Sequence, residues 1–386
     1  MAEAETAHLG NTRIGYLAAA EKLREAASVA VHIGGAEGAM FRADADQFRS
    51  ACLLRLGDNA AAAQAACSSL RAARASGSRS ALVNGLTKCG ETASDAASEM
   101  VNAERESREH ERLGGSPSYG GLDLSQEGRI SLPNTPAALS RLALAYNEAA
   151  VGICDDALTA AGGRDSLTAD EDWRVPNLQV EAQARGHLGT CLHNLGEERQ
   201  RSLELMRQAV TLWRLMVQTA APGVETLSAQ WMLADQLSNL GAGVYDHGSD
   251  GMAEAETCLR EALALGEGVG DVLLTENTLA YLINLCGEAH AAVRPAEAEA
   301  FRSRLNQLLV QMGRSPETSC LICLEPLAPP ADGAADDAAD GGSGGGGGGP
   351  EDSCVRVLNC NHQFHRGCLS TWGRTTSSRT CPLCKT

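Results

Sequence analysis

Aromatic residues make up only 3% of this 386-residue chain, and the apolar 44% is mostly alanine and leucine. That scarcity argues against a β-rich fold, because sheets are enriched in aromatic and β-branched side chains, and it favours helices packed closely through small side chains. Positive charge is also short: 32 Lys and Arg stand against 49 Asp and Glu, a net charge of −17. Nucleic acid is thereby excluded as the main partner, since phosphate binding needs clustered Lys and Arg. No run of eighteen apolar residues occurs, so no transmembrane segment is expected. The opening Met1-Ala2-Glu3-Ala4-Glu5 lacks the basic region and apolar core of a secretory leader. The fourteen cysteines show no disulfide framework: seven are scattered singly (Cys52, Cys67, Cys89, Cys154, Cys191, Cys258, Cys286) and seven crowd the C-terminal segment. Single cysteines on Ala-rich helices behave as small buried hydrophobes, and a reducing compartment follows, cytoplasm or else nucleus.

What is present, from about Thr12 to Met312, is a succession of helices broken by Gly, Asp and Pro. Leu53-Leu54-Arg55-Leu56-Gly57-Asp58-Asn59 predicts a helix end and a turn, after which Ala63, Cys67 and Leu70 fall on one face of the next helix. The arrangement recurs. Leu188-Gly189, Leu192 and Leu195-Gly196 are followed by Ser202, Met206 and Ala209; Leu233-Ala234, Leu237 and Leu240-Gly241 are followed by Ala255, Leu259 and Ala262. A weaker unit is expected around Ala143 to Ala157, and a last helix pair from about Val272 to Met312, with Pro295 at a first helical position, Phe301, Leu305, Leu308 and Leu309 as its apolar stripe and Gly313 at its end. The pattern resembles the tetratricopeptide repeat, in which a small residue on each helix lets paired helices approach. Spacings longer than the repeat of about 34 residues are assigned to variable loops, notably Gly241 to Gly251. An irregular α-solenoid or helical bundle is the alternative these residues leave open.

Two stretches read as non-helical. Gly114 to Pro136, with Ser116-Pro117 and Pro133-Asn134, is a loop between helical blocks, and the mixed-charge run before it, Arg105 to Arg112, is a solvated helical face or a binding site. Ala328 to Ser353, with its glycine run Gly344 to Gly349 and six acids, has too little apolar surface to order itself. The expected domains are therefore a helical region over residues 1–313 and a small domain over 317–386 that carries 328–353 as an insertion.

That small domain holds Cys320-Leu321-Ile322-Cys323, then Cys360-Asn361-His362-Gln363-Phe364-His365-Arg366-Gly367-Cys368, then Cys381-Pro382-Leu383-Cys384. Eight thiol or imidazole donors, in the order three cysteines, two histidines and three cysteines, suit two tetrahedral zinc ions, which take such donors four at a time. Cys354 could compete for the third position, but Cys360 alone stands two residues from His362. With every position filled by protein, both sites are closed and structural, and no zinc-bound water remains for hydrolysis. Arg356, Arg366, Arg374, Arg379 and Lys385 make the stretch locally basic, which ionised ligand thiolates offset.

Order and spacing together resemble the RING-H2 finger, a ββα cross-brace found in E3 ubiquitin ligases. The resemblance implies that Cys320, Cys323, His365 and Cys368 hold one zinc, and Cys360, His362, Cys381 and Cys384 the other. It implies a shallow groove for a ubiquitin-conjugating enzyme (E2) carrying ubiquitin, formed by Ile322, Trp372, Pro382 and Leu383, although Trp372 would also serve as a core aromatic. Catalysis would then be by positioning, with no nucleophile from this chain. Lys385 stands where many such fingers carry an Arg that bridges enzyme and ubiquitin; lysine lacks the bidentate fork of guanidinium. The whole fold expected is mainly α, a tetratricopeptide-like solenoid followed by the zinc-stabilised finger, with the helices choosing the protein substrate. The same domain order resembles the rapsyn family, whose myristoylation signal needs Gly where this chain has Ala2; a non-catalytic scaffold is the alternative function.

Overall fold

The computed structural model describes residues 13–56, 58–112, 135–164, 177–220, 223–248, 251–287, 294–314, 319–327, 355–358, 362–376 and 381–382. The fold is mainly α. The helices are α1 (Arg13–Ile33), α2 (Gly35–Arg55), α3 (Asn59–Ser76), α4 (Arg79–Arg112), α5 (Pro136–Ala160), α6 (Leu178–Leu195), α7 (Arg199–Thr219), α8 (Val224–Asp246), α9 (Met252–Val269), α10 (Val272–Cys286) and α11 (Pro295–Gln311). They are followed by strands β1 (Val355–Val357) and β2 (Gln363–His365) and by α12 (Arg366–Thr376). Contacts divide the chain into two compact units, Met1–Gln218 and Thr219–Thr386. The boundary expected from sequence, near 313–317, falls inside the second of these. Of the expected 114–136 loop, residues 114–134 lie outside the described residues, as do the side chains of the Arg105 to Arg112 run and the 328–353 insertion, while Thr135 and Pro136 begin α5.

Local chemistry sets the helix ends. Asp58 accepts from the Ala61 N–H at 3.0 Å to start α3, Thr135 caps α5 with Pro136 behind it, Asn177 accepts from the Val180 N–H at 2.9 Å to start α6, and Asp271 from the Leu274 N–H at 2.9 Å to start α10. Each side-chain oxygen satisfies one of the orphan N–H groups of a first turn, worth about 1 kcal/mol. Gly196 and Gly270 end α6 and α9 in the left-handed region, at φ of 68° and 74°, where a Cβ would be strained.

In the first unit α2, α4 and α6 touch one another in series, and α3 and α5 pack between them; in the second unit α8 touches α10, and α9 packs against both. First helices of successive hairpins meeting in this way is the register of helical repeats. One continuous core carries it through α3 to α7: Leu70, Val83, Leu86, Cys89, Val151, Cys154, Val180, Leu188, Leu192 and Leu205. Of the expected apolar stripe of α11, Phe301, Leu305 and Leu309 are buried and Leu308 is partly so, with α11 packed on α10. The scattered cysteines are buried apart from Cys67, which is partly so. Burial pushes the Cys154 thiol up to about 12 and those of Cys191 and Cys286 up to about 11, so they stay protonated and inert.

Two expectations need correcting. The weaker unit expected at Ala143 to Ala157 is one helix, α5, whose hairpin partner is the 34-residue α4. Gly241 does not open a loop: α8 continues through it to Asp246. The extra length over a 34-residue repeat is in the helices. Gly241 is in mid-helix because a Cβ there would meet Leu259 Cγ at 2.7 Å. Gly189 does the same for α6 and α7: a Cβ would meet Met206 Cγ at 2.8 Å and the Ser202 carbonyl at 2.9 Å, while Ser202 Oγ donates to the Gly189 carbonyl at 2.8 Å.

A paired substitution tests this close approach. Gly189→Ala should lower the unfolding free energy by about 1–3 kcal/mol through overpacking. Gly152→Ala, on α5 with nothing within 4 Å, should raise it by roughly 0.5–1 kcal/mol from helix propensity. Thermal melts of the two variants moving the same way would contradict the packing described.

Candidate metal centre and its mounting on the helices

The centre is built from three short pieces of chain. In the first, Ser319 pairs with Pro326, the Cys320 N–H donates to the Glu325 carbonyl at 2.9 Å, and the Leu324 N–H donates to the Cys320 carbonyl at 2.7 Å. This tight turn carries Cys320 and Cys323. Leu324 closes it at φ +65°, a conformation that costs a leucine roughly 1–2 kcal/mol. In the second piece β1 and β2 pair antiparallel, Val355 with His365, Arg356 with Phe364 and Val357 with Gln363. Strand alternation sends Phe364 inward, against Cys320, Leu327 and Cys381. The third piece, α12, starts directly after His365, so Cys368 follows within its first turn.

These pieces bring together Cys320, Cys323, His365 and Cys368, whose ligand atoms all lie within 4.8 Å of one another. Cys323 Sγ is 3.3 Å from His365 Nδ1. A tetrahedral zinc ion with spokes of about 2.0–2.3 Å sets its donors roughly 3.5–3.8 Å apart, so the set fits. His365 Nε2 lies 3.1 Å from the Pro326 carbonyl. Because a carbonyl only accepts, that nitrogen carries the proton and Nδ1 turns its lone pair to the cluster, the usual control of a ligand tautomer by its outer partner. Burial opposes ionisation of Cys320, yet the N–H groups of Cys323, His365 and Ile322 outweigh it and hold the thiol below its ordinary value. Cys368 is pushed up to about 12 by burial and by the neighbouring sulfurs. A dication reverses that second effect, since crowded thiolates repel each other until a cation lies among them.

For the second set, the structure places His362 and Cys381 together, with Nδ1 3.5 Å from Sγ. Cys360 and Cys384 lie outside the described residues, as do Leu383, Lys385 and Cys354. Of the expected groove, Ile322 is half-buried against the finger's own core, Trp372 is half-buried on α12, and Pro382 is half-buried in the turn after Cys381. Flanking Ile322, Leu321 is 46% and Leu324 73% exposed. Sequence reasoning passed over these two leucines, although Leu-Ile-Cys-Leu in so short a turn cannot all point inward.

Within the second unit the finger is mounted on helices. Asn284 of α10 donates from Nδ2 to the Val357 carbonyl at 2.7 Å, and the Val357 N–H donates to Asn284 Oδ1 at 2.8 Å. One side chain thus satisfies both backbone groups of a strand residue. Arg356 lies over the Tyr245 ring at 5.4 Å and donates to its hydroxyl, Arg366 Nη1 donates to the Gly287 carbonyl at 2.7 Å, and Gln363 reaches Asn306 of α11 at 3.4 Å.

Residues 318–385 match the family model described as RING-H2 zinc finger domain. With the Cys/His cluster in place, that decides the identity of this part. Residues 318–385 are a RING-H2 domain. The RING-H2 domain implies zinc as the metal of the cluster, and RING domains of E3 ligases generally bind ubiquitin-conjugating enzymes. Its relatives include the E3 ubiquitin-protein ligase RNF128 of Xenopus laevis, 33% identical over 67 residues, 17% of this chain and 11% of that protein. An uncharacterized RING finger protein of Schizosaccharomyces pombe is 51% identical over 35 residues, 9% of this chain and 6% of its own. The chain therefore spans about a tenth or less of the length of these curated relatives. Among solved structures, that of the hypoxic regulator of sterol synthesis Nro1, described as a nuclear import adaptor, covers 77% of this chain and 95% of its own at 12% identity, with a TM-score of 0.31. That likeness carries no argument. No helix among the described residues is long and apolar enough to cross a membrane.

Proposed function

We propose that this chain is an E3 ubiquitin-protein ligase of the RING type. The observation that carries the reading is the closed Cys320, Cys323, His365, Cys368 cluster inside a RING-H2 domain. All four donors are protein side chains, so the metal organises a surface and leaves no site for substrate. A second zinc would be held by Cys360, His362, Cys381 and Cys384. When bound, zinc supplies folding free energy to a finger whose own core is small. Ile322, Trp372, Pro382 and Leu383 dock the conjugating enzyme, and Lys385 contacts the enzyme or its ubiquitin. The domain holds the loaded enzyme in a reactive conformation, which is catalysis by orientation. The helical repeats bind the protein substrate. A reducing compartment, cytoplasm or nucleus, suits the buried free thiols of the helices.

The docking part is tested by affinity. Trp372→Ala and Ile322→Ala should each weaken binding of a cognate conjugating enzyme at least tenfold, as expected for an interface anchor worth about 2 kcal/mol, with zinc content unchanged. Both variants binding like the parent across a broad panel of conjugating enzymes would favour a non-catalytic scaffold acting through its helices.

A further inference from the structure

The chain has three lysines, Lys22, Lys88 and Lys385, against 29 arginines. That imbalance acquires meaning from the reading above, on which this inference rests. In ubiquitin transfer an unprotonated lysine Nζ attacks the thioester carbonyl carbon on the conjugating enzyme; the new C–N isopeptide bond forms, the C–S bond breaks, and the amine's proton ends on the departing thiolate. A guanidinium does not take part, because it stays protonated and its lone pairs are delocalised. Arginine gives the protein its cations without giving it acceptors.

The structure narrows the acceptors further. Lys88, on α4, has a side chain only 12% exposed and is paired with Glu91 in the next turn. Reaching a thioester would require breaking that pair and turning the amine out of the helix packing. Lys22, on the first helix, has a side chain 54% exposed, with Glu25 at 3.9 Å, and an exposed pair of that kind is worth well under 1 kcal/mol. Two helical positions more exposed than Lys22 are held by arginine: Arg141 is 74% and Arg24 58% exposed. The ion pairs that tie helices together, Arg185 with Asp155, Arg201 with Glu148 and Arg294 with Glu256, use arginine too.

We infer that the helical region is a poor acceptor of the ubiquitin its own RING-H2 domain transfers, and that Lys22 is its acceptor site. Self-modification of the helical region is thereby confined to one helix, and transfer is directed to lysines elsewhere.

The full chain, incubated with ATP, activating enzyme, a cognate conjugating enzyme, ubiquitin and free lysine, and then mapped by peptide mass spectrometry, tests this. Ubiquitin remnants at Lys22 should exceed those at Lys88 at least tenfold, and Arg24→Lys with Arg141→Lys should raise self-modification of the helical region at least twofold, with remnants at the new lysines. Remnants at Lys88 matching those at Lys22, or no gain from the two added lysines while free lysine is ubiquitinated in the same tube, would overturn it. An arm independent of ligase activity uses a limiting amine-reactive ester on the native chain: Lys22 should label at least tenfold faster than Lys88, and equal labelling overturns the inference by itself. If no tube ubiquitinates free lysine, the ligase reading fails, and the labelling ratio still decides which lysine of the helices is the accessible amine.

Discussion

Chelating the metal of the Cys320, Cys323, His365 and Cys368 cluster should unfold the RING-H2 domain and leave the helices of the first unit intact. Among the described residues the finger's buried apolar cluster is small, Cys320, Leu327, Phe364 and Cys381, and two of these four are themselves expected ligands. Such a core does not offset the ordering of the chain around it, at roughly 1–2 kcal/mol per residue. Zinc binding supplies what is missing, about 10–16 kcal/mol in small zinc domains. Leu324 at φ +65° adds strain that the ligands on either side must hold. The amides of Cys320, Leu324 and Leu358, which donate within the finger, should therefore lose essentially all hydrogen-exchange protection on chelation and recover it on adding zinc. Cys320→Ser should behave as the chelated protein does. The core of α3 to α7 contains no residue of the finger, so amides there should exchange as before. Retention of protection in the finger without metal would show that its apolar core suffices.

Asn284→Leu should loosen β1 from α10 while leaving the finger's metal bound. Among the described residues the hydrogen bonds of the Asn284 side chain go to Val357, and both partners are buried. Leucine fills a similar volume but leaves one N–H and one carbonyl of β1 unmet, at about 1–3 kcal/mol each. The Arg356 contact with Tyr245 and the Arg366 bond to Gly287 remain, so the loss is that of one anchor among several. Exchange at the Val357 amide should accelerate at least thirtyfold, and zinc content should not change. Unaltered exchange at Val357 would mean that the strand edge is held by other means.

Local spacing in the sequence carries one kind of signal, and contacts between distant residues carry another. The donor pattern was readable because zinc fixes donor type and spacing, and the structure places the ligand atoms of Cys320, Cys323, His365 and Cys368 within 4.8 Å of one another. The hairpins were legible through small residues recurring at helical spacing, and Gly189 sits against Met206 for that reason. Gly241 was misjudged because a glycine that admits a neighbouring leucine and a glycine that ends a helix look alike until the partner is known. Asn284 gave no signal at all. It sits among Leu, Ile and Cys on α10, and its partner Val357 is 73 residues away, so no local pattern distinguishes it from an ordinary buried amide. The mounting of the finger through Tyr245, Asn284 and Gly287 was hidden for the same reason: it joins residues that short-range periodicity cannot relate.

Single-turnover discharge of ubiquitin from a preloaded conjugating enzyme onto free lysine, measured with the full chain across a panel of such enzymes, tests the proposed ligase function most directly. Free lysine as acceptor keeps the scarcity of lysine in this chain from limiting the signal. At least one enzyme of the panel should discharge tenfold or more faster when the chain is present, and Ile322→Ala or removal of zinc should return the rate to that of the enzyme alone. A folded, zinc-loaded chain that accelerates discharge from none of them would contradict the proposed ligase function.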